Sequence, residues 1–132
     1  MQQELERIDA EIARWEARLA AGERLGLEPA LDAATNAARS LIRAYLAAEG
    51  KKPVPSADAD LLEAFKLLVK GDPSWNAIRD NLRELVYYRN CIDLKRADAL
   101  PARPDAMAVR TVRHIYLYLH SRSEQEGRLV QD

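Results

Sequence analysis

Apolar residues recur along this chain three or four positions apart, in five segments separated by glycine or proline. The first segment has them at Leu5, Ile8, Ile12, Trp15 and Leu19. This spacing places the apolar side chains on one face of an α-helix, and such a face is stable when it packs against other helices. We find no repeat, low-complexity tract or strand pattern. The sequence therefore predicts an all-α fold, a single up-and-down bundle of about five helices.

Glycine, proline and capping residues predict where these helices begin and end. The expected helices are 2–20, 29–49, 60–70, a fourth that opens at Asp72-Pro73 and carries apolar residues from Trp75 to Ile92, and 105–125. Gly50 is expected to end the second helix as a left-handed residue. Ser56 or Asp58 is expected to cap the third. Residues 126–132 are expected to form a frayed tail.

The size and composition of the chain fit one globular domain. It has 132 residues, of which 48% are hydrophobic and 31% are charged. A domain of about this length buries roughly two thirds of its unfolded surface, so no metal or disulfide is needed to hold it together. We therefore predict a single domain over residues 1–132, and we expect no metal or other cofactor.

The net charge of −1 excludes a strong field that would draw the whole protein onto nucleic acid or a membrane. Residues 1–65 carry 8 basic and 12 acidic side chains, whereas 66–132 carry 12 and 9, so the second half is mildly basic. Cys91 is the only cysteine, as expected in the reducing cytoplasm. The acidic opening residues are unlike a signal peptide, and no apolar run approaches the ~18 residues of a membrane span.

The fourth helical segment contains the least expected residue of the chain. Heptad spacing through Leu82 and Leu85 puts Arg89 where the next apolar side chain belongs. Sequences tend to break such local rules at functional sites or interfaces. Asn90 follows directly, and Asp93 lies four residues after Arg89. Three explanations stay open for Arg89: a local ion pair with Asp93, a pair in a dimer interface, or a phosphate site.

Three stretches of the chain, in their order and spacing, resemble the HEPN superfamily of small helical bundles. They are 36–53, which is alanine-rich and ends in Gly50 and a loop with Pro53; 60–65, a short helix; and 82–94, which contains Arg89-Asn90. HEPN proteins occur as prokaryotic toxins, in defence systems and as partners of nucleotidyltransferases. The resemblance implies an HEPN-like fold and a homodimer, with a nucleotidyltransferase or an antitoxin as protein partner and RNA as an alternative ligand.

In the ribonucleases of that family, an Arg is followed a few residues later by a His, and the pairs of two protomers act together on RNA. The His moves protons and the Arg contacts the phosphate. Here Leu94 stands where the His belongs, and no His follows before His114. The resemblance therefore implies a binding module without catalysis. Two alternatives remain: a divergent ribonuclease that uses Arg89, Asn90 and His120, or a helical interaction domain unrelated to HEPN.

Basic residues that follow the motif complete the candidate binding site. Together with the motif pair they are Arg89, Asn90, Lys95, Arg96, Arg110 and Arg113. A tight reversal after the fourth helix would bring Arg89 and Asn90 near Arg110 or Arg113, and such a cluster would attract an anion. Arg113 and His120 share a face of the last helix and form a second catalytic candidate, with a solvated face as the alternative. Four tyrosines on the last two helices are expected at the core edge or in an interface: Tyr87, Tyr88, Tyr116 and Tyr118.

Overall fold

Five α-helices make up most of residues 1–129, the part of the chain that the computed structural model describes. They are α1 (Gln2–Ala20), α2 (Leu27–Glu49), α3 (Leu61–Val69), α4 (Arg79–Asp93) and α5 (Pro104–Gln125), with short 3₁₀ turns at Pro73–Ile78 and Ala97–Ala99. No strand occurs within these residues. The predicted all-α bundle of about five helices is confirmed.

The helices α2 and α5 run parallel through the middle of the bundle. At one end, the N–H of Leu25, just before α2, donates to the Asp105 carboxylate in the first turn of α5 (3.0 Å). At the other end, the Tyr45 hydroxyl on α2 lies 2.6 Å from the Glu126 carboxylate, just after α5. α1 and α4 flank this pair on opposite sides and run antiparallel to it. The long helices therefore alternate in direction along the chain, as an up-and-down bundle requires.

Small side chains let the two central helices lie close together. Four alanines are buried along α2: Ala30, Ala34, Ala37 and Ala38. The buried residues of α5 include Ala108, Val112, Ile115 and Leu119. Because the separation of packed helices depends on the side chains at their contact, alanines permit a short distance. α2 and α5 make the most extensive helix contact in the fold, although about 50 residues of chain separate them.

The ends of the helices confirm one predicted signal and correct two others. Gly50 ends α2 in the left-handed conformation (φ 70°), as predicted. α2 begins at Leu27, two residues earlier than expected. Neither Ser56 nor Asp58 caps α3, because the helix begins at Leu61 and both lie too far before it; the Ser56 hydroxyl donates to the Asp58 carboxylate (2.8 Å). Asp60 caps α3 instead, and its Oδ1 accepts from two N–H groups of the first turn (3.0 and 3.1 Å).

The fourth helical segment opens as a 3₁₀ turn rather than as an α-helix. The Asp72 side chain accepts from the N–H of Ser74 (3.3 Å), and Pro73 takes the first position of the turn. Trp75 and Ile78, three residues apart, are both buried. Side chains at i and i+3 project in the same direction from a 3₁₀ turn, so this geometry buries both. α4 follows directly.

A cluster that we call the clasp joins the end of α5 to this 3₁₀ turn. It consists of Asp72, Ser74, Trp75 and Arg122. The Arg122 guanidinium stacks on the Trp75 ring, 4.1 Å from its centroid, contacts the Asp72 carboxylate and donates to the Ser74 hydroxyl (2.6 Å). A cation on an aromatic face with two further partners is a strong local contact. The clasp therefore fixes the ends of two helices against each other.

Residues just after α5 are held by side-chain contacts with α2. Glu126 accepts from the Tyr45 hydroxyl and from Arg128 (2.8 Å), and Arg128 donates to the Ala48 carbonyl (3.1 Å). Burial, together with the bond to Glu126, raises the pKa of Tyr45 to about 12. Glu126 and Arg128, which the sequence assigns to a frayed tail, are thus tied to α2. The last part of that tail, 130–132, lies outside the described residues.

Candidate functional site

Arg89 does not lie on the apolar seam of α4. The buried residues of this helix are Leu82, Leu85, Tyr88 and Cys91, and 42% of the Arg89 side chain is exposed. The expectation from heptad spacing is therefore wrong at this position. The buried residues of α4 follow one another at steps of three, and three residues fall short of a full turn of 3.6, so the buried stripe winds around the helix to Tyr88 and leaves Arg89 at its edge.

Three carboxylates on the same chain surround the Arg89 guanidinium. Its Nη1 lies 3.3 Å from Asp32 Oδ1 and its Nη2 3.6 Å from Glu28 Oε1, both on α2. Its Nε lies 3.3 Å from Asp93 Oδ1, one turn further along α4. The predicted local pair with Asp93 is present, and α2 adds two more acids. All three partners are more than half exposed, so each pair is weak, but together they neutralise the cation.

A groove of about 610 Å³ lies beside Arg89, between α2, α4 and the segment before α3. We call it the acidic groove, because its lining has more carboxylates (Asp32, Asp58, Asp60 and Asp93) than guanidiniums (Arg39 and Arg89). Arg39 is held by the fold, since it donates to the Ala59 carbonyl (2.6 Å) and to Asn36 (2.8 Å). A phosphate that entered this groove would meet a net negative lining.

The remaining motif and loop residues lie around the end of α4. Asn90 is exposed and lines the acidic groove. Leu94 is 72% exposed, and Lys95 has a positive φ of 56° where the chain leaves the helix. Arg96 forms a bidentate pair with Asp98 (2.9 Å for both bonds). Of these binding candidates, Asn90 and Lys95 are left without a partner among residues 1–129.

Arg113 belongs to a different part of the surface from Arg89. It is 82% covered, and its guanidinium bonds Asp9 (2.6 Å) and Glu16 (2.7 Å) on α1. Arg110 is exposed one turn earlier on α5. α1, which supplies the acids that bond Arg113, and α4, which carries Arg89, lie on opposite sides of the central helix pair. The two arginines are therefore held by different acids. The structure does not gather these arginines into one anion-binding cluster.

The two histidines are both on α5 and both remote from Arg89. His120 packs on Tyr116, with 5.6 Å between the ring centroids, and His114 is exposed. Glu84 on α4 contacts Thr111 on α5, and the two helices are antiparallel. Arg89 lies five residues beyond that contact along α4, and His120 lies nine residues beyond it along α5, in the opposite direction. About 20 Å of helix axis therefore separates Arg89 from His120. His120 cannot act with Arg89 within one protomer.

A second groove, which the sequence analysis missed, lies between α3 and the start of α4. Its volume is about 310 Å³, and its lining includes the apolar residues Leu62, Phe65 and Val69 and the basic residues Lys66, Lys70, Arg79 and Arg83. We call it the basic groove. The sequence indicates this groove through two pairs of like-charged residues, Lys66 with Lys70 and Arg79 with Arg83. The two members of each pair are four residues apart, a spacing that places side chains next to each other on a helix. Both pairs precede Arg89, whereas the predicted binding site takes its basic residues from Arg89 onward.

Two acids, the buried Asp105 and the partly buried Glu84, have structural roles that the sequence did not indicate. Asp105 is buried, and a bond from Arg103 holds its pKa below the ordinary value although burial opposes this. Glu84 accepts from the hydroxyls of Tyr88 and Thr111. Burial and the hydrogen bond to Glu84 raise the pKa of the Tyr88 hydroxyl. Both acids join α5 to neighbouring segments and leave no free group for chemistry.

Neither a metal centre nor a membrane segment is found in the described part of the chain. Among residues 1–129 no three His, Cys, Asp or Glu side chains converge on one point where they could hold a metal ion. Within the same residues, every helix is too short or too polar to cross a bilayer. Comparison with family models, with curated proteins and with solved structures finds no match to this chain.

Proposed function

We propose that this chain is a helical binding module without catalytic activity, HEPN-like in its layout, which works in the cytoplasm as a homodimer with a protein partner. The observation that carries this proposal is the neutralisation of Arg89 by Glu28, Asp32 and Asp93. A guanidinium that its own chain has neutralised offers little attraction to a phosphate. The resemblance of the stretches between 36 and 94 to HEPN supports the choice of layout.

The chemistry near Arg89 also argues against ribonuclease activity. General acid–base catalysis contributes about 10²–10⁴-fold to a rate and requires a group that can exchange protons. Leu94 occupies the expected position and has no such group. The side chain nearest in sequence, Asp93, is engaged with Arg89 and would repel RNA phosphate. His120 could take part only if α5 of one protomer reached the Arg89 region of the other.

An RNA cleavage assay with the purified protein tests the proposal. We expect no efficient cleavage by the wild type, by Arg89→Ala or by His120→Ala. Leu94→His would restore the family motif, and Val54→His, at another exposed apolar position, is its control. Robust cleavage by the wild type that either alanine variant abolishes would overturn the proposal. Cleavage by Leu94→His alone would support a degenerate HEPN site.

The HEPN resemblance implies the proposed homodimer, and exposed apolar side chains are the positions at which it can be tested. Tyr87 (49% exposed) and Leu94 (72%) lie on α4 and just after it, and Leu117 (55%) lies on the neighbouring helix α5. An interface that covered one of these side chains would remove it from water, which is favourable. Light scattering at micromolar concentration should give about twice the chain mass of 14.9 kDa. Leu117→Ser should shift the equilibrium toward monomer, and Val54→Ser should not; a clean monomer mass for the wild type would contradict the dimer.

The protein partner that the HEPN resemblance suggests is a nucleotidyltransferase or an antitoxin. Such a gene beside the gene for this chain, and co-purification of the two products, would support this assignment. A neighbourhood without either would favour the alternative of a helical interaction domain unrelated to HEPN. Both outcomes leave the absence of catalysis to be decided by the cleavage assay alone.

A further inference from the structure

The basic groove combines an apolar floor with a cationic rim. Phe65 is buried at its base, and Leu62 and Val69 are partly exposed beside it on α3. Four basic side chains surround this floor: Lys66 and Lys70 from α3 and its end, and Arg79 and Arg83 from the first turns of α4. An occupant that buried apolar groups here would also be surrounded by positive charge.

Two of the four cations have no anion partner within residues 1–129. Lys66 pairs with Glu63 (2.9 Å), and Arg79 lies 3.8 Å from Asp80. Lys70 and Arg83 are exposed, and neither forms an ion pair within residues 1–129. Like charges around one groove repel, and an anionic occupant would convert this repulsion into attraction. The charge of the groove therefore selects for an acidic partner.

We infer that the basic groove docks a segment of a partner protein in which apolar side chains are flanked by Asp and Glu. This inference rests on the proposed binding function and names the chemistry of its partner. The apolar side chains of the segment would lie on Leu62, Phe65 and Val69. Its carboxylates would meet the unpaired cations of Lys70 and Arg83. An amphipathic helix that lies in a groove is a common form of such recognition.

Other occupants fit the groove less well. Single-stranded nucleic acid binds through exposed aromatic rings on which bases stack, whereas the single aromatic residue of the groove, Phe65, is buried. A membrane surface binds protruding apolar side chains, and here the apolar residues line a hollow. A second copy of this chain would have to present a different surface to the groove, and such head-to-tail contacts propagate into filaments unless they close into a ring.

Fluorescence anisotropy with a defined probe tests the inference on the full chain. The probe is a labelled 16-residue peptide with Leu at i, i+4, i+7 and i+11, four Glu beside these leucines and Ala elsewhere to favour the helix. Two matched peptides carry Ser in place of Leu, or Lys in place of Glu. The double variant Lys70→Glu, Arg83→Glu should bind the probe about tenfold more weakly, since each reversal exchanges an attraction for a repulsion. The control, Arg14→Glu with Arg24→Glu, changes two exposed cations of α1 and its following loop and should bind like the wild type.

The outcomes separate this inference from the proposed function. Binding that needs both Leu and Glu in the probe, and that the double variant alone weakens, supports the docking groove. Equal binding of the three peptides, or equal loss in both double variants, overturns it. So does tighter binding of a single-stranded oligonucleotide or of anionic vesicles through Lys70 and Arg83. None of these results bears on RNA cleavage, so the proposed absence of catalysis stands or falls by its own assay.

Discussion

The two grooves beside α3 use their charges in opposite ways. In the acidic groove each guanidinium has a partner on its own chain: Arg39 bonds a backbone carbonyl and Asn36, and Arg89 meets three carboxylates. In the basic groove Lys70 and Arg83 have no such partner within the described residues. Of the two grooves, the one that offers unpaired cations to a ligand is therefore the one away from Arg89.

This difference shows that the identity of a basic residue does not reveal whether its charge is available. Arg89 and Arg83 are on the same helix, six residues apart. The acids of α2 reach Arg89, whereas Arg83 projects toward α3, where Lys66 and Lys70 lie nearby. Packing of the helices, rather than local sequence, decides which arginine stays free.

The largest expected effect is on the free energy of unfolding, which should differ between variants at the floors of the two grooves. Phe65→Ala removes a buried ring from the core and should lower the free energy of unfolding by about 3 kcal/mol. Val86→Ala, at the partly buried floor of the acidic groove, should cost about 1 kcal/mol. Urea denaturation followed by circular dichroism measures both. Equal losses would show that the floor of the basic groove is not part of the core.

An intermediate loss of stability is expected from a variant at the start of α3, the helix beside both grooves. Asp60→Ala removes the cap of α3 and should lower the free energy of unfolding by about 1 kcal/mol. Asp60→Asn retains a capping oxygen and should stay close to the wild type. Asp58→Ala removes another carboxylate of the acidic groove, one that accepts from Ser56 and does not cap α3, and should also change little. A larger loss for Asp58→Ala than for Asp60→Ala would contradict the assignment of the cap.

The smallest expected effect on stability comes from removing the cations of the two grooves. Arg89→Met should lower the free energy of unfolding by a few tenths of a kcal/mol, because its pairs are exposed. This loss should shrink as salt is added, since screening weakens exposed pairs. Lys70→Met with Arg83→Met should leave stability unchanged or raise it slightly, because it relieves repulsion. Thermal unfolding at low and high salt tests both, and a clear loss in the double variant would mean that these cations have partners in the fold.

Sequence periodicity predicted the helices well and their ends less well. The stripe Leu5, Ile8 and Ile12 is buried on α1 as expected, and the predicted range 2–20 is that of the helix. Asp72 and Pro73 open the fourth segment as predicted, but its first turns are 3₁₀ rather than α-helical, and Trp75 in them is held by Arg122 of α5. A local sequence pattern shows the spacing of apolar residues, but it does not show contacts with segments far along the chain.

The candidate site was predictable only in part, for the same reason. The pair of Arg89 with Asp93 follows from their spacing on one helix, and it is present. The pairs with Glu28 and Asp32 depend on how α2 packs beside α4, and no local spacing indicates them. Arg113 illustrates the same limit, because its partners Asp9 and Glu16 come from α1.

The parallel arrangement of α2 and α5 has a consequence for how the chain folds as it is synthesised. The contacts that close the two ends of this pair join residues about 80 positions apart, Leu25 with Asp105 and Tyr45 with Glu126. Until α5 has emerged from the ribosome, α2 lacks its most extensive helix contact, and a nascent chain of four helices would expose part of its apolar face to water. Completion of the core, and with it the packing of α4 that forms both grooves, is therefore delayed until α5 has been synthesised.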